Sequence, residues 1–358
     1  MPARIEDVAQ RCGLSVATVS RVMNNGKNVS ASARERVMRA IDELNYSPNA
    51  LARSLVKRRT YQIGVVVPDI STSFASTILG SIERSAAQRG YNILLCNIMG
   101  DLKKECQYLE AFRQMRVDGL IILHEKTDGR VGELLSTLDV PVVACTVRLT
   151  REAVKNCSVV VIDDYAAARL AVQRLLEDGH RKIAVFCDVL DEYSSGELRS
   201  RGAEEALRAY GYEPGEMFFR YGRLSYDDGY RHMSELLRTG ERPTAVFAAS
   251  DDCAVGAMTA ALDAGLRVPE ELSVVGFDDA AIAARVRPRL STIRQPLDEM
   301  GRIAAEELIR HIETPEAGPS TITVKHEFIQ RESSAPARSA QNSFGTAPGG
   351  QSAPHGKI

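Results

Sequence analysis

The sequence predicts an α/β protein with an N-terminal all-α helix-turn-helix head, a hinge helix and a two-lobed, doubly wound body. In the first sixty residues, apolar side chains recur at helical spacing. From residue 63 onward, short apolar strands alternate with amphipathic helices, which is typical of parallel sheets covered by helices. The alternation restarts after residue 159, so we expect two such sheets with a cleft between them.

The predicted boundaries follow these changes of pattern. A chain of 358 residues is too long for one ordinary core and suits a small head on a larger body. The last segment is rich in Ser, Ala, Pro and Gly with almost no large apolar side chains, which predicts a disordered tail. The segments are the head at 1–46, the hinge helix and linker at 47–61, the ligand-binding and dimerising body at 62–332 and the tail at 333–358. Within the body, the N-terminal lobe comprises about 62–163 plus 293–325, and the C-terminal lobe about 164–292 plus 326–332.

Two short helices and a glycine turn open the head. Gly13 ends the first helix, and Ser15 can cap a second helix whose Val16, Val19 and Val22 or Met23 repeat at helical spacing. Two helices joined in this way are typical of a helix-turn-helix.

A third helix is expected over residues 32–45. Ser32 has an acid, Glu35, three places later, and this spacing is typical of a capped helix start. Its apolar residues would complete a small core with the first two helices. They are Val37, Met38, Ile41 and Leu44.

The second helix carries small and polar side chains on the side opposite its valines. A helix of this kind enters a DNA major groove N-terminus first. Arg21 can fork onto a guanine, and Val16 and Ala17 can touch thymine methyl groups. Several hydroxyl and amide side chains suit phosphates, although helix capping or solvation explains these equally well. The candidate DNA-contacting residues of the head are Ser15, Val16, Ala17, Thr18, Ser20, Arg21 and Asn24.

The charges of the chain are divided unevenly. Residues 1–60 hold eleven Lys or Arg against five Asp or Glu, a net charge of +6. Because the whole chain has a net charge of -2, the remainder carries -8. A basic head on an acidic body suits a protein that touches phosphate with one end only. The simpler alternative is a solvated charged face.

Polar side chains follow many of the predicted strands of the body. Ligands of doubly wound sheets sit outside the carboxyl ends of the strands, so these residues are candidates for a ligand site. An acidic, hydroxyl-rich set suits polyols or nitrogen heterocycles, whereas helix capping is the alternative explanation for each residue singly. The set is Asp69, Ser73, Phe74, the turn at 146–148, Asp163, Asp164, Asp188, Ser250, Asp251, Asp278 and Asp279.

Longer motifs make a resemblance specific. DVAQRCGLSVATVSRVMN at 7–24 and YSPNALARSL at 46–55 resemble the lactose/galactose-repressor (LacI/GalR) family of bacterial transcription regulators. GHRKIAVF at 179–186, RSRG at 199–202 and GLRVPEELSVVGFDD at 265–279 are similar to the effector domain of that family, itself like periplasmic sugar-binding proteins. The similarity covers residues 4–332.

The resemblance implies a repressor that binds a palindromic operator as a homodimer, with a tetramer as the alternative. The second stretch would be a hinge helix that lies in the minor groove and folds only beside its twin on DNA. Its implied DNA contacts are Asn49, Ala52, Arg53 and Leu55. An exposed leucine before three cations, residues 57–59, also suits a wedge that unstacks a base step, with packing inside the hinge helix as the alternative.

The resemblance also implies an effector site in the body. The family clamps its effector with the Arg of an RxxG motif and the first Asp of GFDD, which are Arg199 and Asp278 here, and with the aromatic Phe74. Our full set of effector-contacting candidates is Asp69, Ser73, Phe74, Arg148, Arg199, Ser250, Asp251 and Asp278.

At two of these positions the chain departs from the family. Ser250 precedes Asp251 where the family commonly has Asn, and Arg148 comes one place later than the family's Arg after PVVxx. Both positions normally face the ligand. The sequence therefore does not name the effector or say whether it releases DNA or promotes binding.

Other classes of protein are poorly supported. A transport binding protein of periplasmic type, without a DNA role, is the main alternative, but the chain has no apolar signal stretch and no run of eighteen apolar residues. An enzyme is disfavoured because GxGxxG, Walker, GxSxG and HExxH motifs are missing. Seven scattered cysteines without a CxxC pair predict reduced thiols in a cytoplasmic protein, and we expect no cofactor, metal or membrane partner.

Overall fold

A computed structural model describes residues 3–23, 29–46, 59–124, 129–149, 157–188, 195–213 and 218–337. They belong to two compact units, 1–61 and 62–358. The expected hinge helix and the DNA contacts proposed for Asn24, Asn49, Ala52, Arg53 and Leu55 lie outside the described residues.

The head is a three-helix unit with one small core. Its helices are α1 (Ile5–Cys12), α2 (Val16–Met23) and α3 (Ala31–Glu43). Val8, Val19 and Val37, one from each helix, are fully buried against one another. Gly13 ends α1 with a φ of 65°, a left-handed conformation that costs glycine nothing. The predicted helix-turn-helix is therefore present.

Two details of the third helix differ from expectation. Ser30 rather than Ser32 caps α3, because its side chain accepts a hydrogen bond from the Ala33 N–H at 3.2 Å. Glu35 pairs instead with Arg39 one turn later, at 2.9 Å. Met38, which was expected in the core, is 49% exposed, and Ala40 takes the buried position. The smaller alanine fits because the three helices cross closely.

The body contains two six-stranded sheets. The first has the order β11-β5-β4-β3-β1-β2, and all of its paired strands are parallel. Its strands are β1 (Gln62–Val67), β2 (Asn92–Asn97), β3 (Gly119–Ile122), β4 (Val142–Cys145), β5 (Cys157–Val161) and β11 (Thr321–Thr323). The second has the order β12-β10-β9-β8-β6-β7, with β12 antiparallel to β10. Its strands are β6 (Ile183–Asp188), β7 (Phe218–Gly222), β8 (Ala245–Ala248), β9 (Ser273–Asp278), β10 (Ser291–Arg294) and β12 (Glu327–Ile329).

Helices connect the parallel strands, as the alternating pattern predicts. The described helices of the body are α4 (Ser73–Gln88), α5 (Leu102–Met115), α6 (Gly129–Thr137), α7 (Asp164–Glu177), α8 (Ser195–Ala209), α9 (Tyr226–Arg238), α10 (Asp251–Asp263), α11 (Ala281–Arg285) and α12 (Leu297–Glu313). We call the first sheet and its helices lobe 1, and the second sheet and its helices lobe 2.

The chain crosses between the lobes three times. The crossovers follow β5, β10 and β11, and α12 returns to lobe 1, where it packs on α4 and on β3 to β5. β10, at 291–294, belongs to lobe 2, so the second crossover comes slightly later than the predicted change at 293. β7 was not predicted. It is an edge strand whose side chains are all at least partly exposed, so it shows no buried apolar run.

The predicted disordered tail begins too early. Ser333 is fully buried. Its Oγ donates a hydrogen bond to the Val274 carbonyl at 2.6 Å and accepts one from the Ser291 N–H at 2.8 Å. His180 also reaches this segment, at 3.0 Å from the Ala335 carbonyl. Small side chains at 333–337 fit tightly against the starts of β9 and β10, so low hydrophobicity did not imply disorder there.

The cysteines and the helices bear on the predicted thiol state and on membrane spanning. Every cysteine is free, and five of the seven are buried. Among the described residues, none of the helices combines the length and the apolar character needed to cross a bilayer. The same residues contain no group of side chains suited to a metal ion.

Candidate functional site

The exposed side of α2 carries the predicted DNA-reading residues. Ser15 Oγ accepts a hydrogen bond from the Thr18 N–H at 3.2 Å, which caps the helix as predicted. Val19 and Val22 are buried, whereas Val16 is 40% exposed. Ser15, Ala17 and Arg21 are exposed with it, and Thr18 and Ser20 are partly exposed. The helix therefore presents the expected set on one side.

Arg36 of α3 holds the turn before this helix. Its guanidinium donates to the Cys12 carbonyl and to the Gly13 carbonyl, the latter at 3.4 Å. These are carbonyls that the end of α1 leaves without helical partners. The contact fixes the angle between α1 and α2, and thus the direction in which α2 projects.

In the body, Arg199 lies at the centre of a buried charged cluster. Its Nε donates to Asp164 Oδ1 at 2.9 Å, and its Nη1 donates to the Ala249 carbonyl at 2.8 Å. The guanidinium lies over the ring of Phe277, 3.9 Å from the centroid. Arg199 is only 7% exposed, so the pair with Asp164 is a buried ion pair.

The RxxG motif explains how Arg199 reaches this position. Arg199 and Gly202 are three residues apart and share one face of α8. A side chain at Gly202 would collide with the Tyr165 carbonyl of α7, so the glycine allows the two helix backbones to touch. Asp164 begins α7, and the close crossing brings it within reach of Arg199.

We predict that Gly202→Ala lowers the free energy of unfolding by roughly 1–3 kcal/mol, because the added methyl group must push α7 and α8 apart. Gly80→Ala is a matched control, since a methyl group there meets only the end of the Arg84 side chain at 3.3 Å. Gly80 lies inside α4, so its replacement should stabilise the protein by about 0.5–1 kcal/mol. Chemical denaturation measures both changes. Equal effects of the two substitutions would contradict the prediction.

Asp278 is the last residue of β9 and faces the same cluster. Its Oδ1 accepts a hydrogen bond from Gln295 Nε2 at 2.7 Å. Its φ of 118° lies in a region that non-glycine residues rarely adopt, and such strain concentrates at functional sites. Burial raises the pKa of Asp278 to about 7, although Arg199 and Gln295 oppose the rise. Burial also raises the pKa of Asp164, against the effect of Arg199.

Ser250 and Asp251 have partners inside lobe 2. Ser250 Oγ accepts from the Cys253 N–H at 3.1 Å and donates to the Leu224 carbonyl at 2.7 Å, so it caps α10. Asp251 is 1% exposed, and its two oxygens accept from the Ala280 N–H at 2.8 Å and from Thr292 Oγ1 at 2.6 Å. Burial and the nearby Asp278 raise the pKa of Asp251. These hydrogen bonds support a structural role for Ser250 and Asp251. That either residue contacts an effector stays a prediction.

The candidates on lobe 1 lie after β1 and β4. Asp69 Oδ1 accepts from the N–H and the Oγ of Ser71, both at 2.8 Å, which is a local turn. Phe74 is half-buried and Arg148 is exposed. The positive charge of Arg148 opposes the rise in the pKa of Asp164 that burial causes. That Arg148 contacts an effector stays a prediction.

The structure separates the roles of two adjacent candidates. Asp163 caps α7, whereas Asp164 pairs with Arg199. No sequence signal distinguishes the two acids, because the choice depends on the approach of α8. Asp252 was not among the candidates, yet it accepts hydrogen bonds from Ser73 of lobe 1.

A cavity of about 550 Å³ opens elsewhere, beside the crossovers after β10 and β11. Arg294, Glu299, Lys325 and His326 are among its lining residues, and none of the predicted effector residues is. The buried pair of Arg199 with Asp164, the strained backbone of Asp278 and the raised pKa values of these two acids favour the strand ends as the effector site over this cavity.

Comparison with known proteins matches both units. Residues 4–49 match the model for bacterial regulatory proteins of the lacI family, and residues 172–334 match the periplasmic binding protein-like domain. Catabolite control protein A of Priestia megaterium is 34% identical over 333 residues, which cover 93% of this chain and 99% of that protein. The chain belongs to the lacI family of bacterial regulatory proteins. The resemblance read from the sequence is confirmed.

Solved structures of lacI-family regulators agree with this membership. The lac repressor dimer bound to operator and the anti-inducer ONPF has a TM-score of 0.82 at 28% identity, covering 94% of this chain and all of that one. The complex of the transcriptional regulator CelR with cellobiose has a TM-score of 0.70 at 33% identity, covering 92% and 99%. The predicted α/β architecture of head and two-lobed body is likewise confirmed.

Proposed function

We propose that this lacI-family regulator represses transcription by binding a palindromic operator as a homodimer, with a small sugar-like effector in the cleft of the body controlling its DNA affinity. The observation that carries the proposal is the exposed face of α2, Ser15 to Arg21, on a head whose valines are otherwise packed. The family membership supports it, since the lac repressor binds its operator as a dimer.

The chemistry of the buried cluster supports a polyol effector. Arg199 offers planar N–H donors, while Asp164 and Asp278 offer carboxylate acceptors. Sugar hydroxyls both donate and accept, so they can satisfy such a mixed set. CelR was solved with cellobiose, a sugar, which is consistent with this assignment. We propose that Arg148, Arg199, Asp278 and Phe74 contact the effector, with Asp69 and Ser73 at the rim.

The proposal includes a cytoplasmic location and no catalytic activity. Relatives of the chain are transcription regulators, and the sequence offers no catalytic motif. The alternative is a small-molecule-binding protein of periplasmic type without a DNA role. The match of residues 4–49 to a regulator head argues against it. The roles given to Asn24, Asn49, Ala52, Arg53 and Leu55 rest on the sequence and stay predictions.

The test is in vitro selection of DNA sites from a random pool by the full-length protein at low ionic strength. We expect a twofold-symmetric site, because each protomer of a dimer contributes one head. Selection of no sequence over random DNA would contradict the proposed function.

Arg21→Ala is expected to relax the preference at one base pair of each half-site by about 1–3 kcal/mol, because a bidentate contact to guanine is lost. Arg39→Ala removes the same charge from α3, and it should weaken binding to selected and random DNA alike. Competition binding against single-base variants of the selected site measures the difference. A uniform loss for Arg21→Ala would exclude its proposed role in base reading.

A further inference from the structure

Asp252 and Ser73 join the two lobes across the cleft. Asp252 lies in the first turn of α10 in lobe 2, and Ser73 is the first residue of α4 in lobe 1. The two oxygens of Asp252 accept from the Ser73 N–H and from Ser73 Oγ, both at 3.0 Å. Each residue follows a strand that ends at the cleft, β8 and β1 respectively.

The start of α4 is well suited to a carboxylate. The first amides of a helix have no partner within the helix, and its N-terminus carries a partial positive charge. Thr72 Oγ1 satisfies the Ala75 N–H at 3.2 Å, whereas the Ser73 N–H is satisfied from the other lobe by Asp252. Asp252 of lobe 2 therefore helps to cap α4, a helix of lobe 1.

We propose that Asp252 is a positioning residue that holds the lobes closed in the absence of effector. The inference rests on the proposed function, because it concerns the cleft in which the effector binds. The lobes are covalently connected only at the crossovers after β5, β10 and β11, which can bend. Contacts made across the cleft then determine the ratio of closed to open molecules.

Asp252 also lies close to the effector candidates. Its negative charge contributes to the high pKa of Asp278, so the two carboxylates interact. Ser73 was itself predicted to contact the effector, yet its side chain is occupied by Asp252. An effector that displaces Asp252 from Ser73 opens the cleft, and an effector that leaves this contact in place adds to closure. In both cases the contact affects how tightly an effector binds, because affinity depends on the fraction of molecules that are closed.

The test follows hydrogen exchange of single amides in the effector-free, full-length protein. Asp252→Ala is expected to accelerate exchange of the Ser73 amide by roughly tenfold, since a hydrogen bond to a charged acceptor is lost. Ser73→Ala removes only the Oγ contact, so it should accelerate exchange of the residue-73 amide less. Small-angle scattering should show a larger body for Asp252→Ala.

Two controls make the result specific. Asp227→Ala removes an exposed acid from the first turn of α9, also in lobe 2, and it should leave the Ser73 amide unchanged. The Ala280 amide, which donates to Asp251 within lobe 2, should stay protected in every variant that folds. Asp252→Asn, which keeps the side-chain size, replaces Asp252→Ala if the latter does not fold, and it should shift exchange in the same direction.

Equal exchange of the Ser73 amide in the Asp252 and Asp227 variants, with identical scattering, would overturn the proposal. The measurement uses neither DNA nor effector. Its failure is therefore distinguishable from failure of the proposed function, which the DNA selection tests separately.

Discussion

Arg199→Ala is expected to abolish the response to effector and to lower the free energy of unfolding by about 3–5 kcal/mol. The first effect follows from loss of the planar donor in the cleft. The second follows from burial, because Asp164 and Asp278 would lose the positive charge that offsets the cost of keeping them out of water. The head is a separate compact unit, so the variant that remains folded should still bind its operator.

Operator release by a sugar that raises the melting temperature of the wild type measures the first effect, and chemical denaturation at pH 7 measures the second. Arg201→Ala is the matched control, two residues further along α8. Its guanidinium side chain is 61% exposed and lies 3.8 Å from Glu197, so its loss should change little. A stable Arg199→Ala protein that responds normally to the sugar would exclude Arg199 from the effector site.

Asp278→Asn is expected to stabilise the protein at pH 8 while removing effector binding. Burial raises the pKa of Asp278 to about 7, against a usual value of 3.8, so the folded state holds the proton more tightly than the unfolded state. The free energy of unfolding of the wild type therefore falls as the pH rises from about 4 to about 7. Asparagine is neutral at every pH and can still accept the hydrogen bond from Gln295, so this loss disappears in the variant.

At pH 8 the free energy of unfolding of Asp278→Asn should exceed that of the wild type by about a few kcal/mol, since each tenfold change in proton affinity corresponds to about 1.4 kcal/mol. It should vanish near pH 4. Denaturation at several pH values measures it. Asp279→Asn provides the contrast, because Asp279 pairs with Arg294 at 2.7 Å and with Arg331 at 2.5 Å, and its loss should destabilise the protein at pH 8. An Asp278→Asn advantage that does not change with pH would contradict this explanation.

The architecture could be predicted because its signals are local. Buried strands such as Val246 to Ala248 and glycine at helix ends are visible in a short window of sequence. Arg199 and Asp278 could be located because the resemblance supplied their motifs. Spacing alone does not say that an Arg and a Gly three residues apart meet the start of a neighbouring helix.

What could not be predicted depends on contacts between distant segments. Asp252 looks like any acid in the first turn of a helix, and only the fold brings it to Ser73. Ser333 looks like part of a polar tail, yet it bonds to the N–H and the carbonyl of Val274 in β9 and to the N–H of Ser291 in β10. In the head, the acid three places after Ser32 favours that serine as the cap, yet Ser30 caps α3. Such choices are made by tertiary structure.

The order of the strands has a consequence for synthesis of the chain. Each sheet of the body includes a strand from its C-terminal end: β11 pairs with β5 in lobe 1, and β12 pairs with β10 in lobe 2. Neither lobe can therefore finish folding on the ribosome until residues 321–329 have emerged from the exit tunnel. The core of the head is formed by side chains between residues 5 and 46, so the head can fold far earlier, and a nascent chain carries a folded helix-turn-helix well before it carries a complete body.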